Sequence, residues 1–227
     1  MPTDPGRTPT SPLFDPTQDR VTDVSALGAL AHPLRLRLLG LLRRHGPSTA
    51  SRLAARIGES SGLTSYHLRQ LAEAGMVIDA GPEDLAHVEQ TGARERWWKA
   101  ALRSTYTVPP PPGDDAAEAA TADYLRAVLA ATSDNARNWL SVEHTWPTAW
   151  RDVTDFSDVP LQLTLAEAGA LVSEMRALLS RYRRWDHTAV PGGGGVPAGA
   201  VAVTVQYQLF PFPDQDPPVA GDGGQGR

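Results

Sequence analysis

Between Ser61 and Leu71 the chain reads SGLTSYHLRQL, a helix candidate that carries Leu63, Leu68 and Leu71. A helix here is expected to bury those leucines and to expose Ser61, Thr64, Ser65, His67 and Arg69 on its other side. Small hydroxyls, an imidazole and a guanidinium on one exposed face suit the reading of base edges in a major groove. His67, beside Leu68 and Leu71, admits a second reading as a half-buried histidine packed near a phosphate. Tyr66 either stacks or donates to a phosphate, or wedges beneath a neighbouring strand.

That helix needs neighbours to hold it. Ser60 or Ser61 can cap a helix Gly62–Ala74, which Gly75 closes, and Ser48 can cap a preceding helix Thr49–Ile57, with a tight turn at Gly58 between the two. Upstream, Leu34, Leu38, Leu41 and Leu42 mark a helix that Pro33 opens and Gly46 stops. A further helix runs from Thr22 or Asp23 towards His32. Downstream, Met76–Ala80 reads as a short strand. Arg94–Ala101 reads as a second strand, with Trp97 and Trp98 on opposite faces. Arg94 and Arg96 alternate on it and share one face, suited to a DNA backbone or narrow minor groove, or else simply solvated.

Charge supports this placement. The net charge is −5, yet from His32 to Ser104 Arg and Lys outnumber Asp and Glu by eleven to seven. The basic excess coincides with the helix pair, as an electrostatic footprint for nucleic acid does. Arg35, Arg52, Arg69 and the two strand arginines are the expected phosphate partners. The chain has no cysteine, so disulfides and thiolate metal sites are excluded and a reducing cytoplasm is the natural compartment. No apolar run is long enough to span a bilayer, and no apolar signal segment opens the chain.

The remainder is organised around a PPPPGDD stretch at 109–115, a stiff linker. A long amphipathic helix is expected over about Ala116–Glu143, with Leu125, Val128, Leu129, Thr132, Ala136, Trp139 and Leu140 on one stripe, paired with the same helix of a second copy. Leu161–Leu163 reads as a short strand, Thr164 and Glu167 as a capping box opening a helix to about Arg183, and Ala200–Phe210, alternating at Val201, Val203, Val205 and Tyr207, as another strand. Trp139, Trp146, Trp150 and Trp185 suit a core or dimer seam better than a ligand pocket. Glu143 and His144 are adjacent on a helix and point about 100° apart, so they do not converge on a metal. Asp155 and Asp158 read as caps or turn formers. Gly192–Gly195 lacks the Lys-Ser/Thr of a phosphate loop, and no histidine pair has metalloprotease spacing. No enzyme and no cofactor are expected.

The block ALAHPLRLRLLGLLRRHGPSTASRLAARIGESSGLTSYHLRQLAEAGMVIDAG resembles the ArsR-like winged-helix repressors of bacteria. His32-Pro33-Leu34-Arg35, Ala54, Ser65-Tyr66-His67-Leu68-Arg69-Gln70-Leu71 and Ala74-Gly75 carry the likeness, and Arg94-Glu95-Arg96-Trp97-Trp98 looks like the returning strand of the wing. It covers residues 23–102. The region after the linker is similar to the C-terminal extensions of some actinobacterial regulators of this kind. The resemblance implies a homodimer on a pseudo-palindromic operator, the helix Gly62–Ala74 in the major groove, the wing on backbone or minor groove, and base contacts at Ser61, Gly62, Ser65 and Tyr66. Two departures stand out. Gly62 lies where a side chain is common, and the family's Cys-x-Cys is replaced by SRLAA at Ser51–Ala55.

The expected fold class is α+β: a disordered leader (1–21), a winged helix-turn-helix domain (22–107), a Pro-rich linker (108–115), a smaller α/β domain for dimerisation and possible sensing of an unidentified small-molecule effector (116–210), and a disordered tail (211–227). The expected function is sequence-specific regulation of transcription by a cytoplasmic homodimeric repressor bound to double-stranded DNA, away from membranes. The expected DNA contacts are Ser61, Gly62, Thr64, Ser65, Tyr66, His67, Arg69, Arg94 and Arg96. The alternative is a ligand- or protein-binding module that uses a winged helix without DNA.

Overall fold

The computed structural model describes residues 20–21, 24–86, 95–107, 110–189, 192 and 196–216. Helix α1 (Val24–Leu30) leads into α2 (Pro33–His45). His32 caps α2, its ring Nδ1 accepting from the Leu34 amide at 3.2 Å, and Pro33 occupies the first turn, where no amide donor is needed. Gly46 ends α2 with φ +79° and ψ −162°, a conformation open in practice only to glycine. Strand β2 (Ser48–Thr49) follows, then α3 (Ala50–Ile57) and α4 (Ser61–Glu73). Thr49, rather than Ser48, caps α3, because Ser48 and Thr49 are held in a strand ladder that sets the helix start one residue later. Gly58, left-handed at φ +76°, makes the turn, and the Ser60 hydroxyl accepts from the Leu63 amide to start α4.

Strands β3 (Val77–Asp79) and β4 (Trp97–Ala100) complete a three-stranded antiparallel sheet of order β2-β4-β3, in which Ser48 faces Trp98, and Val77 and Asp79 face Ala100 and Trp98. This is a winged helix. The wing tip between them lies outside the described residues. Arg20–Val21 (β1) pairs in parallel with Tyr106–Thr107 (β5), a bridge that no sequence periodicity announces and that ties the edge of the expected leader to the domain's exit.

The core is leucine-rich. Leu30, Leu38, Leu39, Leu68 and Leu71 are completely buried, with Val77 and Trp98 sealing the sheet side. Removal of each such side chain from water stabilises the fold by about 1.5–3 kcal/mol.

Helix α5 (Asp115–Val142), capped by the Asp114 carboxylate at the Ala117 amide, packs against α1 and α2. Its buried face is Ala117, Tyr124 and Ala127, with Ala120 and Val128 alongside, whereas Leu125 and Leu129 of the expected stripe stay exposed. The reason is Tyr124: its ring enters the leucine core, its hydroxyl meets Thr105, and this sets the helix rotation. The first half of α5 belongs to the winged-helix core.

Beyond α5 come a 3-10 turn (Glu143–Thr145), the short α6 (Thr148–Arg151) and α7 (Leu165–Ser180), whose capping box between Thr164 and Glu167 forms as the sequence predicts. Trp139, Trp146 and Trp150 meet edge to face, with ring centroids 5.4 and 6.3 Å apart. The strands expected at Leu161–Leu163 and Ala200–Phe210 do not form: neither stretch is in a ladder among the described residues. The β content of the α+β fold therefore comes from the winged helix. The segment after α7 returns to the first domain: Trp185 Nε1 donates to the Arg44 carbonyl at 2.9 Å, Arg184 donates to Ser104 Oγ at 2.9 Å, and the His187 ring lies where a Cβ on Gly46 would be.

Candidate nucleic-acid interface

Helix α4 has two stripes. Thr64, His67, Leu68 and Leu71 stand at i, i+3, i+4 and i+7 of the inner one. All four are buried, Thr64 at 0% and His67 at 6% exposure. The sequence expectation had placed Thr64 outward and Leu63 inward, and the structure reverses both, leaving Leu63 40% exposed; of the two readings of His67, exposed base reader or half-buried packing residue, the structure shows the buried one. Leu68 and Leu71 fix the rotation, and any residue sharing their stripe follows them inward. Thr64 Oγ1 and His67 Nδ1 have no hydrogen-bond partner among the described residues.

The outer stripe is Gly62, Ser65, Tyr66 and Arg69, with Ser61 at its start. These five expected contact residues are brought together on one accessible surface. A shallow groove runs from Ser65 and Arg69 across the start of α3, at Thr49 and Ser51, to Arg96 on the strand β4 side. The Arg52 guanidinium lies 4.7 Å from the centroid of the Trp97 ring.

The wing contributes one described arginine. Arg96 grips Asp79 at two points, Nε to Oδ1 at 2.6 Å and a terminal nitrogen to Oδ2 at 3.0 Å. Its guanidinium carbon lies 3.9 Å from the centroid of the Trp98 ring. Hydrogen bonding from Arg96 holds the Asp79 carboxyl below its usual range. Sequence reasoning passed over Asp79, because only the β3–β4 register, which sets Asp79 opposite Trp98, shows that it meets Arg96. Arg94 lies outside the described residues. Arg35, expected at a phosphate, donates instead to the Gly28 carbonyl at 3.2 Å.

Beneath α4, the His32 and His67 rings are 4.5 Å apart, with Tyr66 edge-on to His67. Burial first, then Arg35, lowers the His32 pKa. Burial first, then His32 and Arg35, lowers that of His67, against an opposing pull from Glu59. Both shifts favour the neutral imidazole, the form in which the His32 Nδ1 lone pair can accept at the α2 cap.

Gly58-Glu59-Ser60-Ser61-Gly62 spells the Gly-x-Ser-x-Gly of a hydrolase nucleophile elbow. Its setting is different: a helix rather than a strand precedes it, and the Ser60 hydroxyl is a helix cap. Among the described residues no group of three His, Asp or Glu side chains could hold a metal ion.

Helices α2, α3 and α4, a three-stranded wing sheet and an open α4 face define the winged helix-turn-helix class. Residues 30–79 match the family of ArsR-type helix-turn-helix domains, described simply as "Helix-turn-helix domain". Such domains suggest DNA-binding transcriptional regulation and are typically non-enzymatic. Comparison with curated proteins finds no match. Among the described residues no helix is long and apolar enough to cross a membrane.

Proposed function

We propose that this chain is a cytoplasmic, homodimeric, sequence-specific repressor that binds double-stranded DNA through α4 and carries no thiolate metal switch. The observation that carries the reading is the outer stripe of α4. Ser61, Gly62, Ser65, Tyr66 and Arg69 form one accessible surface on a helix whose other side is locked in the core. Ser61 and Ser65 read base edges, Tyr66 and Arg69 meet phosphates, and Arg52 and Arg96 set register at the flanks. Two copies then hold their α4 helices one duplex turn apart, ~34 Å. A regulatory signal acts by changing that separation.

Thr64 and His67 leave the contact set and become the floor that fixes α4. The domain division proposed is a winged helix to about residue 107 and a dimerising unit over about 116–210, with the first half of α5 shared between them.

A second reading, a winged helix that binds protein or ligand and not DNA, draws support from Asp79, whose carboxylate neutralises Arg96, and from the bare backbone at Gly62. A salt titration of DNA affinity separates the two. A DNA binder loses affinity linearly on a log–log plot with a slope of several units, from counterion release at ~6–10 phosphates across a dimer; a protein-binding module shows no such slope.

A further inference from the structure

From Val128 to Asp216 not one described residue is buried. Helix α7 buries none of its side chains, and Leu165 at its start is 92% exposed. A stretch of this length cannot offset its ordering entropy without removing apolar surface from water, so it requires a surface to close on.

Two segments that lie in neither helix nor ladder stand out. From Val201 to Tyr207 the chain alternates Val, Val, Val and Tyr with neutral residues, and Val203 and Val205 are 66% and 61% exposed. Along residues 155–163, Phe156, Val159 and Leu161 are likewise open. Neither stretch makes a backbone–backbone hydrogen bond through its amides among the described residues, and neither pairs with the other. Unpaired amides along a stretch of strand-like periodicity can template pairing with another chain. The side chains named, with Leu163, Leu209 and the phenylalanines that follow, leave on the order of 1,000 Å² of apolar-residue surface in water. A stable interface draws about 800 Å² from each partner.

We infer that a second copy of this chain covers this surface, with residues 201–212 of each protomer entering an intermolecular β seam flanked by residues 155–163. An isologous two-fold contact satisfies both open edges at once, since each protomer offers the same pair of segments. Val201–Phe212 carries no charge that would oppose its own copy across the axis, and Pro160, which lacks an amide donor, suits the 155–163 segment to the rim. The seam rests on the dimeric reading above and relocates it: the exposed side of α5 at Leu125 and Leu129 is not the main contact.

The test is sedimentation of the full-length chain, free of DNA, beside Val203→Lys/Val205→Lys and Leu125→Lys/Leu129→Lys. All four side chains are exposed in the protomer, so lysines there leave its fold intact, which circular dichroism checks. The seam predicts a wild-type dimer, a dissociation constant raised at least ~100-fold by the valine pair, and at most a few-fold change from the leucine pair. A monomeric wild type, which assigns the surface to another occupant, or a valine variant that dimerises as tightly as the wild type, overturns it. Binding of the monomeric valine variant to a single half-site is read separately. Salt-dependent half-site binding retained in that variant supports the α4 reading whatever the fate of the seam, and its absence in every variant sinks the α4 reading while leaving the sedimentation result to decide the seam.

Discussion

The Arg96 guanidinium is held between the Asp79 carboxylate, in a two-point ion pair at 2.6 and 3.0 Å, and the face of Trp98. The wing arginine is thus oriented but electrically satisfied before any duplex arrives. Phosphate must compete with Asp79 for it, so Asp79 limits how tightly the wing grips.

Asp79→Asn removes that competitor. The variant is expected to bind DNA several-fold more tightly on every sequence, with a log–log salt slope steeper by about one unit, because one more cation becomes available to a phosphate. Fluorescence anisotropy at several salt concentrations measures both. Weaker binding would show instead that Asp79 positions Arg96 productively.

Positions on the outer stripe divide by role. Ser65→Ala is expected to alter base preference, with a cost of about 1–3 kcal/mol at the affected base pair, while Arg69→Ala and Arg96→Ala weaken all sequences alike. Selection from a random DNA pool with each variant checks this; a uniform loss from Ser65→Ala would place that hydroxyl on the backbone.

Thr64 belongs to the floor. Its hydroxyl is wholly buried with no hydrogen-bond partner among the described residues, so Thr64→Val, which keeps the shape and removes the polar atom, is expected to stabilise the fold by about 1 kcal/mol and leave operator preference unchanged. Thermal unfolding and the same DNA selection are the readouts. A changed preference would return Thr64 to the reading surface.

Stability should fall with acid. His32, His45 and His67 all have pKa values lowered in the folded protein, principally by burial. The unfolded chain therefore takes up protons first. Stability is full above the ordinary histidine value of 6.5, declines as pH falls through it, and levels off below the lowered folded values. Protonation also removes the acceptor that caps α2. Urea unfolding between pH 7.5 and 5 is expected to show this decline, and His67→Gln to flatten part of it. A pH-independent midpoint contradicts the assignment.

Gly46 joins the two halves. Gly46→Ala is strained by its backbone angles and forces His187 aside, so a loss of about 1–3 kcal/mol is expected, with increased proteolysis near Trp185. An unperturbed alanine variant would show that the 182–188 segment is not seated there.

Much of the winged helix could be read in advance because its signals are local. Pro33, Gly46, Gly58, Ser60 and Gly75 punctuate the helices by chemistry that needs no tertiary partner. The errors lie where rotation about a helix axis decides. Thr64 and His67 look like surface residues by type, and only their i+4 relation to Leu68 and Leu71 turns them inward. Tyr124 similarly outweighs Leu125 and Leu129 on α5, because an aromatic ring that can fill the core and reach Thr105 sets the rotation. Asp79 was invisible because its partner depends on strand register. The alternating valines at 201–205 pointed to a strand, but a ladder needs a second strand, and none pairs with them among the described residues.

The account stands most directly on the salt dependence of binding by the full-length protein to duplexes selected from a random pool. It predicts a defined preferred sequence with two related half-sites and log affinity falling against log salt with a slope of several units. Flat salt dependence, or no sequence enriched over the starting pool, would contradict it.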